Sequence, residues 1–95
     1  MLKYTKTTLK KLQTIFEEQE YTVRYEKGNF QSGYCVVKNQ KVVIINKFFN
    51  DEAKINCLID ILDTIELKAE KMSKKTKQFF TKILPAYKEQ KENIE

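Results

Sequence analysis

The sequence predicts a single α+β domain with an N-terminal helix, a three-stranded antiparallel β-meander, and one long or two shorter C-terminal helices. Apolar residues recur at helical spacing near both ends of the chain, whereas residues 21–46 hold short strand-like runs separated by turn residues. The length of 95 residues is that of one domain. The chain is 41% hydrophobic and 33% charged, which is typical of a globular protein rather than a disordered or membrane-spanning one.

The first helix is predicted from Thr8 to Gln19. Its apolar residues repeat every three or four positions and form one stripe, made of Leu9, Leu12, Ile15 and Phe16. A threonine at position 5, 7 or 8 is the expected N-cap, because a hydroxyl oxygen can accept a hydrogen bond from a free amide of the first turn.

Three strands are predicted at residues 21–26, 34–38 and 41–46, because these runs are rich in β-branched and aromatic residues. Residues 27–33 contain both glycines and predict a turn between antiparallel strands, and Asn39-Gln40 predicts a second, tighter turn. The third strand contains the uninterrupted apolar run Val42–Ile45, which predicts that both of its faces are covered.

A second helix is predicted from Glu52 to about Lys68, with Asn50 or Asp51 as its N-cap. One alternative continues this helix to Lys91, which gives a rod of roughly 60 Å that overhangs its own domain and needs a second copy as partner. The other alternative, which we favour, breaks the helix near Ser73 and starts a new one that Pro85 kinks or ends. Residues 1–67 are then an α-β-β-β-α core, and residues 68–95 are a lysine-rich helical extension of the same domain.

Positive charge is concentrated in this extension. The chain has a formal net charge of +5, and residues 68–95 carry eight lysines against four glutamates. Of the 18 basic residues only Arg24 is an arginine, the side chain suited to bidentate contacts with guanine. Binding to nucleic acid is therefore predicted to be electrostatic and independent of base sequence.

Two groups of basic residues are candidate anion or nucleic-acid contacts. Arg24 and Lys27 lie among aromatic residues of the strand region, where bases of a single strand can stack. The others lie in or just before the last helix: Lys71, Lys74, Lys75 and Lys77. The simpler interpretation of the lysines is a solvated helix face that keeps a small protein soluble. Membrane association is not expected, because glutamates dilute the charge and no apolar run is long enough to span a bilayer.

A stripe of large apolar residues continues through the extension: Met72, Phe79, Phe80, Ile83 and Tyr87. If the stripe docks on the uncovered face of the meander, it is ordinary core. If it stays exposed, it is an interface. The sequence therefore predicts a non-catalytic interaction module that self-associates through its C-terminal helical region or binds a protein partner whose identity the sequence does not give.

No catalytic residue, metal site or cofactor is predicted. The chain has no histidine, which removes the commonest general base and zinc ligand. Cys35 falls in a strand and Cys57 on a helix, neither with a base in reach, so both are expected to be structural thiols. The first residues lack the apolar run of a secretory signal, which predicts reduced cysteines in a cytoplasmic protein.

Two resemblances to known families add to this interpretation. The strings YTVRYEKGNF, SGYC and NKFF resemble a family of short, uncharacterised bacterial proteins, which implies no particular biochemistry. The order of a helix, SGYCVV, KVVIIN and a second helix is similar, less specifically, to the N-terminal part of bacterial zinc metallopeptidases that cleave repressors. In that family a strand ending in an asparagine, comparable to Asn46, precedes a helix with the motif His-Glu-x-x-His.

That motif is absent from this chain. Asp60 and Thr64 occupy the two histidine positions, and Ile61 occupies the glutamate position. The peptidase resemblance therefore implies a degenerate scaffold without zinc, and no activity is carried over to any residue.

Overall fold

The computed structural model describes residues 4–27 and 33–93, with side chains as far as residue 87. The elements follow the predicted order of one helix, three strands and further helices. They are α1 (Lys6–Glu18), β1 (Thr22–Glu26), β2 (Tyr34–Val37), β3 (Val42–Asn46), α2 (Asp51–Leu62) and α3 (Lys74–Asn93). A short 3₁₀ turn, Ala69–Lys71, lies between α2 and α3.

The three strands form a mixed sheet in the order β1–β3–β2, so the predicted antiparallel meander is wrong. β1 runs parallel to β3, and only β2 is antiparallel to it. Residues 27–33 therefore connect the two outer strands of the sheet and not a pair of antiparallel neighbours, and residues 28–32 lie outside the described part of the chain. The most apolar strand, β3, takes the central position between two others.

α1 and α2 lie on one face of the sheet, because the strand residues in the core belong to a single alternating set, and α3 packs against α1. These residues are Val23, Tyr25, Tyr34, Val36, Val43 and Ile45. Val43 and Ile45 are fully buried, whereas Val42 and Ile44 on the opposite face are half-buried. The expectation that both faces of β3 are covered is therefore wrong. The open face is apolar at its centre and carries Arg24 and Glu26 on β1.

The first helix begins earlier than predicted, at Lys6, because Thr5 is its N-cap and its hydroxyl oxygen accepts from the Thr8 amide at 3.2 Å. Three residues of the predicted stripe, Leu12, Ile15 and Phe16, are fully buried. Burying a side chain of this kind contributes about 1.5–3 kcal/mol, which is the main reason that a helix with no acidic residue in its first turn is stable here.

Asn50 caps α2, since its side-chain oxygen accepts from the Ala53 amide at 2.9 Å. The helix ends at Leu62, about six residues before the predicted end. At that point the Thr64 amide and hydroxyl both bond to the Ile61 carbonyl. The core residues of α2 are Ile55, Leu58, Ile59, Ile61 and Leu62, which pack between the sheet and the other helices.

The break before the last helix is present, because α3 starts at Lys74 directly after Ser73. Pro85 does not end the helix, which continues to Asn93. Pro85 lies on the exposed side of α3, where water can replace the hydrogen bond that its missing amide does not make. Ile83 and Tyr87 belong to the same hydrophobic core as α1 and α2.

Candidate functional site

A groove of about 430 Å³ lies between α1 and the first half of α3. From α1 it is lined by Lys11, Thr14 and Glu18, and from the α3 side by Ser73, Lys75, Thr76, Gln78 and Phe79. Phe79 is half-buried at this groove, and the Lys11 ammonium lies 5.5 Å from the centre of its ring. This distance allows a cation–π interaction, which holds one positive charge over an aromatic surface.

Ser73 joins the start of α3 to the end of α1 by one hydrogen bond and caps α3 by two more. The Ser73 amide donates to Glu18 Oε1 at 3.1 Å. The Ser73 hydroxyl accepts a hydrogen bond from the Thr76 amide at 3.2 Å and donates one to Thr76 Oγ1 at 2.9 Å. Ser73 is therefore the N-cap of α3 and also its attachment to α1.

The segment between α2 and α3 is held to the C-terminal end of α1 in the same way. The buried Gln19 amide group donates to the Lys68 carbonyl at 3.0 Å and accepts from the Lys68 amide at 2.7 Å. Glu20 forms ion pairs with Lys71 at 2.8 Å and Lys41 at 3.6 Å. The hydrogen bond from Lys71, with the charges of both lysines, lowers the pKa of Glu20.

The exposed side of α3 is strongly basic as far as the side chains are described. Lys74, Lys75, Lys77 and Lys82 are all exposed, and the sequence has no acidic residue from position 73 to position 87. Lys11 adds a further positive charge from α1. We call this surface, Lys11 together with the four lysines of α3, the lysine face. Glu18 also lines the groove, and its carboxylate accepts a hydrogen bond from the Ser73 amide.

The residues predicted as anion contacts do not form one site. Lys74, Lys75 and Lys77 lie together on the lysine face. Lys71 instead forms an ion pair with Glu20, which follows the end of α1. Arg24 lies on the open face of the sheet and pairs with Glu26 at 2.9 Å, and Lys27 follows at the exposed end of β1.

The residues of the apolar stripe fall into a buried group and a half-buried group. Ile83 and Tyr87 are 5% and 8% exposed and belong to the core, whereas Met72, Phe79 and Phe80 are half-buried. The Tyr87 hydroxyl donates to Asp60 Oδ1 of α2 at 2.6 Å. Burial, followed by this bond and the Asp60 charge, raises the pKa of Tyr87. The stripe thus docks on the helical layer and not on the uncovered face of the sheet.

The two cysteines lie on different elements, Cys35 on β2 and Cys57 on α2, and are not joined to each other in a disulfide. Cys57 is buried in α2, and burial raises the pKa of its thiol, which is the opposite of what a nucleophile needs. Cys35 lies half-buried on the open face of the sheet.

The positions that match the peptidase zinc motif have structural roles. Asp60 bonds to Tyr87, Ile61 is fully buried, and the Thr64 hydroxyl bonds to the Ile61 carbonyl beyond the end of α2. Over residues 4–27 and 33–93, no three histidine, cysteine or carboxylate side chains cluster in a way that could hold a metal ion.

No family model, curated protein or solved structure matches this chain. Within the described residues, no helix combines the length and the apolar character needed to cross a membrane.

Lys11 is the main member of the lysine face that the sequence did not indicate. It lies 64 positions before Lys75 along the chain, and only the packing of α3 on α1 brings the two to one groove. One signal was present, since Lys10 and Lys11 interrupt the apolar stripe of α1 together and so mark a polar side of that helix.

Proposed function

We propose that this chain is a non-catalytic binding module whose lysine face binds the phosphate backbone of nucleic acid without sequence preference. The observation that supports the proposal is the run of exposed lysines on α3, with no acidic residue between positions 73 and 87, beside Lys11 of α1. Lysine ammonium groups are mobile point charges that neutralise phosphates without reading bases.

The experiment is a fluorescence anisotropy titration of the full chain with labelled oligonucleotides of two unrelated sequences. We expect similar affinities for both sequences. The logarithm of the affinity should fall linearly with the logarithm of salt concentration, with a slope of about −3 if three to four phosphates are neutralised. An affinity that is unaffected by salt contradicts the proposal.

A matched pair of triple variants locates the contact. Lys74→Gln, Lys75→Gln and Lys77→Gln together should reduce the salt slope by about 2–3, because each removed contact releases one counterion fewer. The control variant carries Lys27→Gln, Lys38→Gln and Lys47→Gln, three exposed lysines outside α3, and has the same net charge. If both triple variants lose affinity equally, only net charge matters and the lysine face is not a site.

Self-association through the C-terminal helical region is the second proposal. It rests on Met72, Phe79 and Phe80, the half-buried members of the apolar stripe. Against it, a two-fold contact through α3 brings the lysines of both copies together, and like charges repel. Light scattering of Phe80→Glu, with the 69% exposed Phe48→Glu as control, tests it. A dimer that Phe80→Glu alone dissociates supports this proposal.

The third proposal is descent from a metallopeptidase scaffold that has lost its zinc site. What supports it is the passage from β3 through Asn46 into α2, where positions 60 and 61 on the helix and position 64 just beyond its end correspond to the zinc motif. Its test is an experimental structure compared with such a peptidase. An equivalent order of strands and an equivalent second helix support kinship, whereas a different strand order contradicts it.

A further inference from the structure

Along the outer edge of β1, some backbone groups have no hydrogen-bond partner within the described part of the chain. The Thr22 amide donates to the Lys41 carbonyl at 2.8 Å, and the Glu26 carbonyl accepts from the Lys47 amide at 3.1 Å. In a parallel pair, alternate residues face the neighbouring strand, so the even-numbered residues of β1 bond to β3. The amides and carbonyls of Val23 and Tyr25 point the other way, and among the described residues none bonds to them.

Space is present along this edge. A groove of about 330 Å³ runs beside it below α1 and is lined in part by Gln13, Glu17, Tyr21 and Val23. An exposed strand edge of this kind is a template for another extended strand.

We infer that β1 pairs antiparallel with β1 of a second copy, which joins the two three-stranded sheets into one sheet of six strands. The two-fold axis passes beside Tyr25, whose outward amide and carbonyl exchange hydrogen bonds with those of Tyr25 in the second copy. A closed two-fold pair leaves both β1 edges covered, so the association ends at the dimer on this edge.

Charge selects this register over its neighbours. Centred on Tyr25, the pairing places Arg24 directly opposite Glu26 of the second copy, and Glu26 opposite Arg24, so two cross-strand ion pairs form. Centred on Arg24, it places two arginines opposite each other. Centred on Val23, it places Arg24 opposite Thr22 and leaves Glu26 without an opposite charge. Opposite charges that face each other across antiparallel strands are favourable, and like charges are not.

The side chains have the reach for this exchange. Arg24 Nε already lies 2.9 Å from Glu26 Oε2 within one strand. Both charged groups are therefore on the open face and at a similar distance from the plane of the sheet. Directly opposite residues on antiparallel strands are about 4.5–5.5 Å apart between Cβ atoms, closer than residues two apart along one strand. The dimer therefore replaces one ion pair in each chain by two between chains.

The dimer is weak and independent of the lysine face. A pair of five-residue strands buries much less than the roughly 800 Å² per partner of a standard interface, so concentrations of about 10 μM to 1 mM are needed to observe it. Lys11 and α3 lie on the other side of α1 from the groove below β1, so nucleic-acid binding and pairing do not compete.

The experiment measures the mass of the full chain by light scattering over this concentration range. We expect the mass to rise from 11.3 kDa towards twice that value. Val23→Pro removes the outward amide without touching a bond to β3, so it should stay monomeric, and Val23→Ala, which keeps the amide, should still dimerise. A native chain that remains monomeric at 1 mM, or a Val23→Pro variant that dimerises like Val23→Ala, overturns the inference.

Two charge variants test the register even if Val23→Pro does not fold. Arg24→Glu and Glu26→Arg should each be monomeric, because each places like charges opposite each other. A 1:1 mixture of the two should form a heterodimer, since both carboxylates of the first variant, at positions 24 and 26, then face the two guanidinium groups of the second. A mixture that stays monomeric, or a homodimer of either variant as stable as the native one, overturns the register.

Discussion

The Tyr87 hydroxyl donates a 2.6 Å hydrogen bond to the Asp60 carboxylate and so joins α3 to α2 beyond the groove. Tyr87 follows Pro85 by two residues, at a point where a proline in a helix normally weakens it. Tertiary contacts of α3 with the helical layer, among them this bond and the buried Ile83, therefore explain why the helix passes through the proline.

Removal of the Tyr87 hydroxyl should destabilise the protein. Tyr87→Phe keeps the ring but takes a donor from the Asp60 carboxylate, and hydrogen bonds to charged groups contribute about 1.5–3 kcal/mol. Urea denaturation at pH 7 should show a loss of that size. The control is Tyr21→Phe, because the half-buried Tyr21 ring packs against Phe16 and no hydrogen bond of its hydroxyl is formed within the described residues. Equal stability of the Tyr87→Phe and native chains contradicts the assignment.

The free energy of unfolding should fall in alkaline solution. Burial raises the pKa of Cys57 above its usual 9.0 and the pKa of Tyr25 above its usual 10.0, and it also raises that of Tyr87. Above pH 9 the unfolded chain therefore releases protons that the folded chain retains. Stability is complete below that pH and is lost as pH rises. Thermal unfolding at pH 7, 9 and 10.5 measures this loss of stability. In Cys57→Ala, stability should fall less between pH 7 and pH 9 than in the native chain. A midpoint temperature of unfolding that stays the same from pH 7 to pH 10.5 contradicts the prediction.

Gly33, just before β2, should not tolerate a side chain. Its φ is +85°, which strains any other residue by about 1–3 kcal/mol, and an added Cβ would overlap the ring of Phe49. Gly33→Ala should lower stability by at least about 2 kcal/mol in urea denaturation. The double variant Gly33→Ala, Phe49→Leu should regain only the stability that is lost through overlap of the added Cβ with the Phe49 ring. A Gly33→Ala chain of native stability would show that this segment has another conformation.

Local signals in the sequence predicted the starts of α2 and α3 well. Asn50 and Ser73 are the N-caps of α2 and α3, as expected, since a cap acts only on amides two or three residues away. Strand positions follow from β-branched residues in the same way.

Pairing between strands could not be predicted from these local signals. Alternation shows which residues share a face, but it does not show which strand lies beside which. The two glycines of residues 27–33 are typical of a hairpin turn, so they favoured β1 next to β2. The structure instead places β3 between them, where its apolar run is best buried. The groove between α1 and α3 could not be predicted either, because it forms only when these helices pack together and bring Lys11 close to Lys75.

Gln19 should be essential for the position of the segment between α2 and α3. Its buried amide group bonds to both backbone groups of Lys68. Gln19→Ala leaves those groups unpaired beside the core, which costs about 1–3 kcal/mol for each group that water cannot reach. Urea denaturation should show a clear loss of stability, whereas the exposed Gln78→Ala should be neutral. A neutral Gln19→Ala would mean that Lys68 has other partners.

Ser73 connects the stability of α3 with the proposed function, because it caps the helix that carries most of the lysine face. Ser73→Ala removes the acceptor for the Thr76 amide and should cost about 1 kcal/mol, whereas Ser73→Asn, another good cap, should cost little. Fraying of the first turn loosens the positions of Lys74, Lys75 and Lys77 without changing the charge. Oligonucleotide affinity should therefore fall for Ser73→Ala while the salt slope stays near the native value, since the number of phosphates that the lysines can neutralise is unchanged. Native affinity in a chain that has lost the cap would show that the lysines act by net charge alone, and that their placement beside α1 has no part in binding.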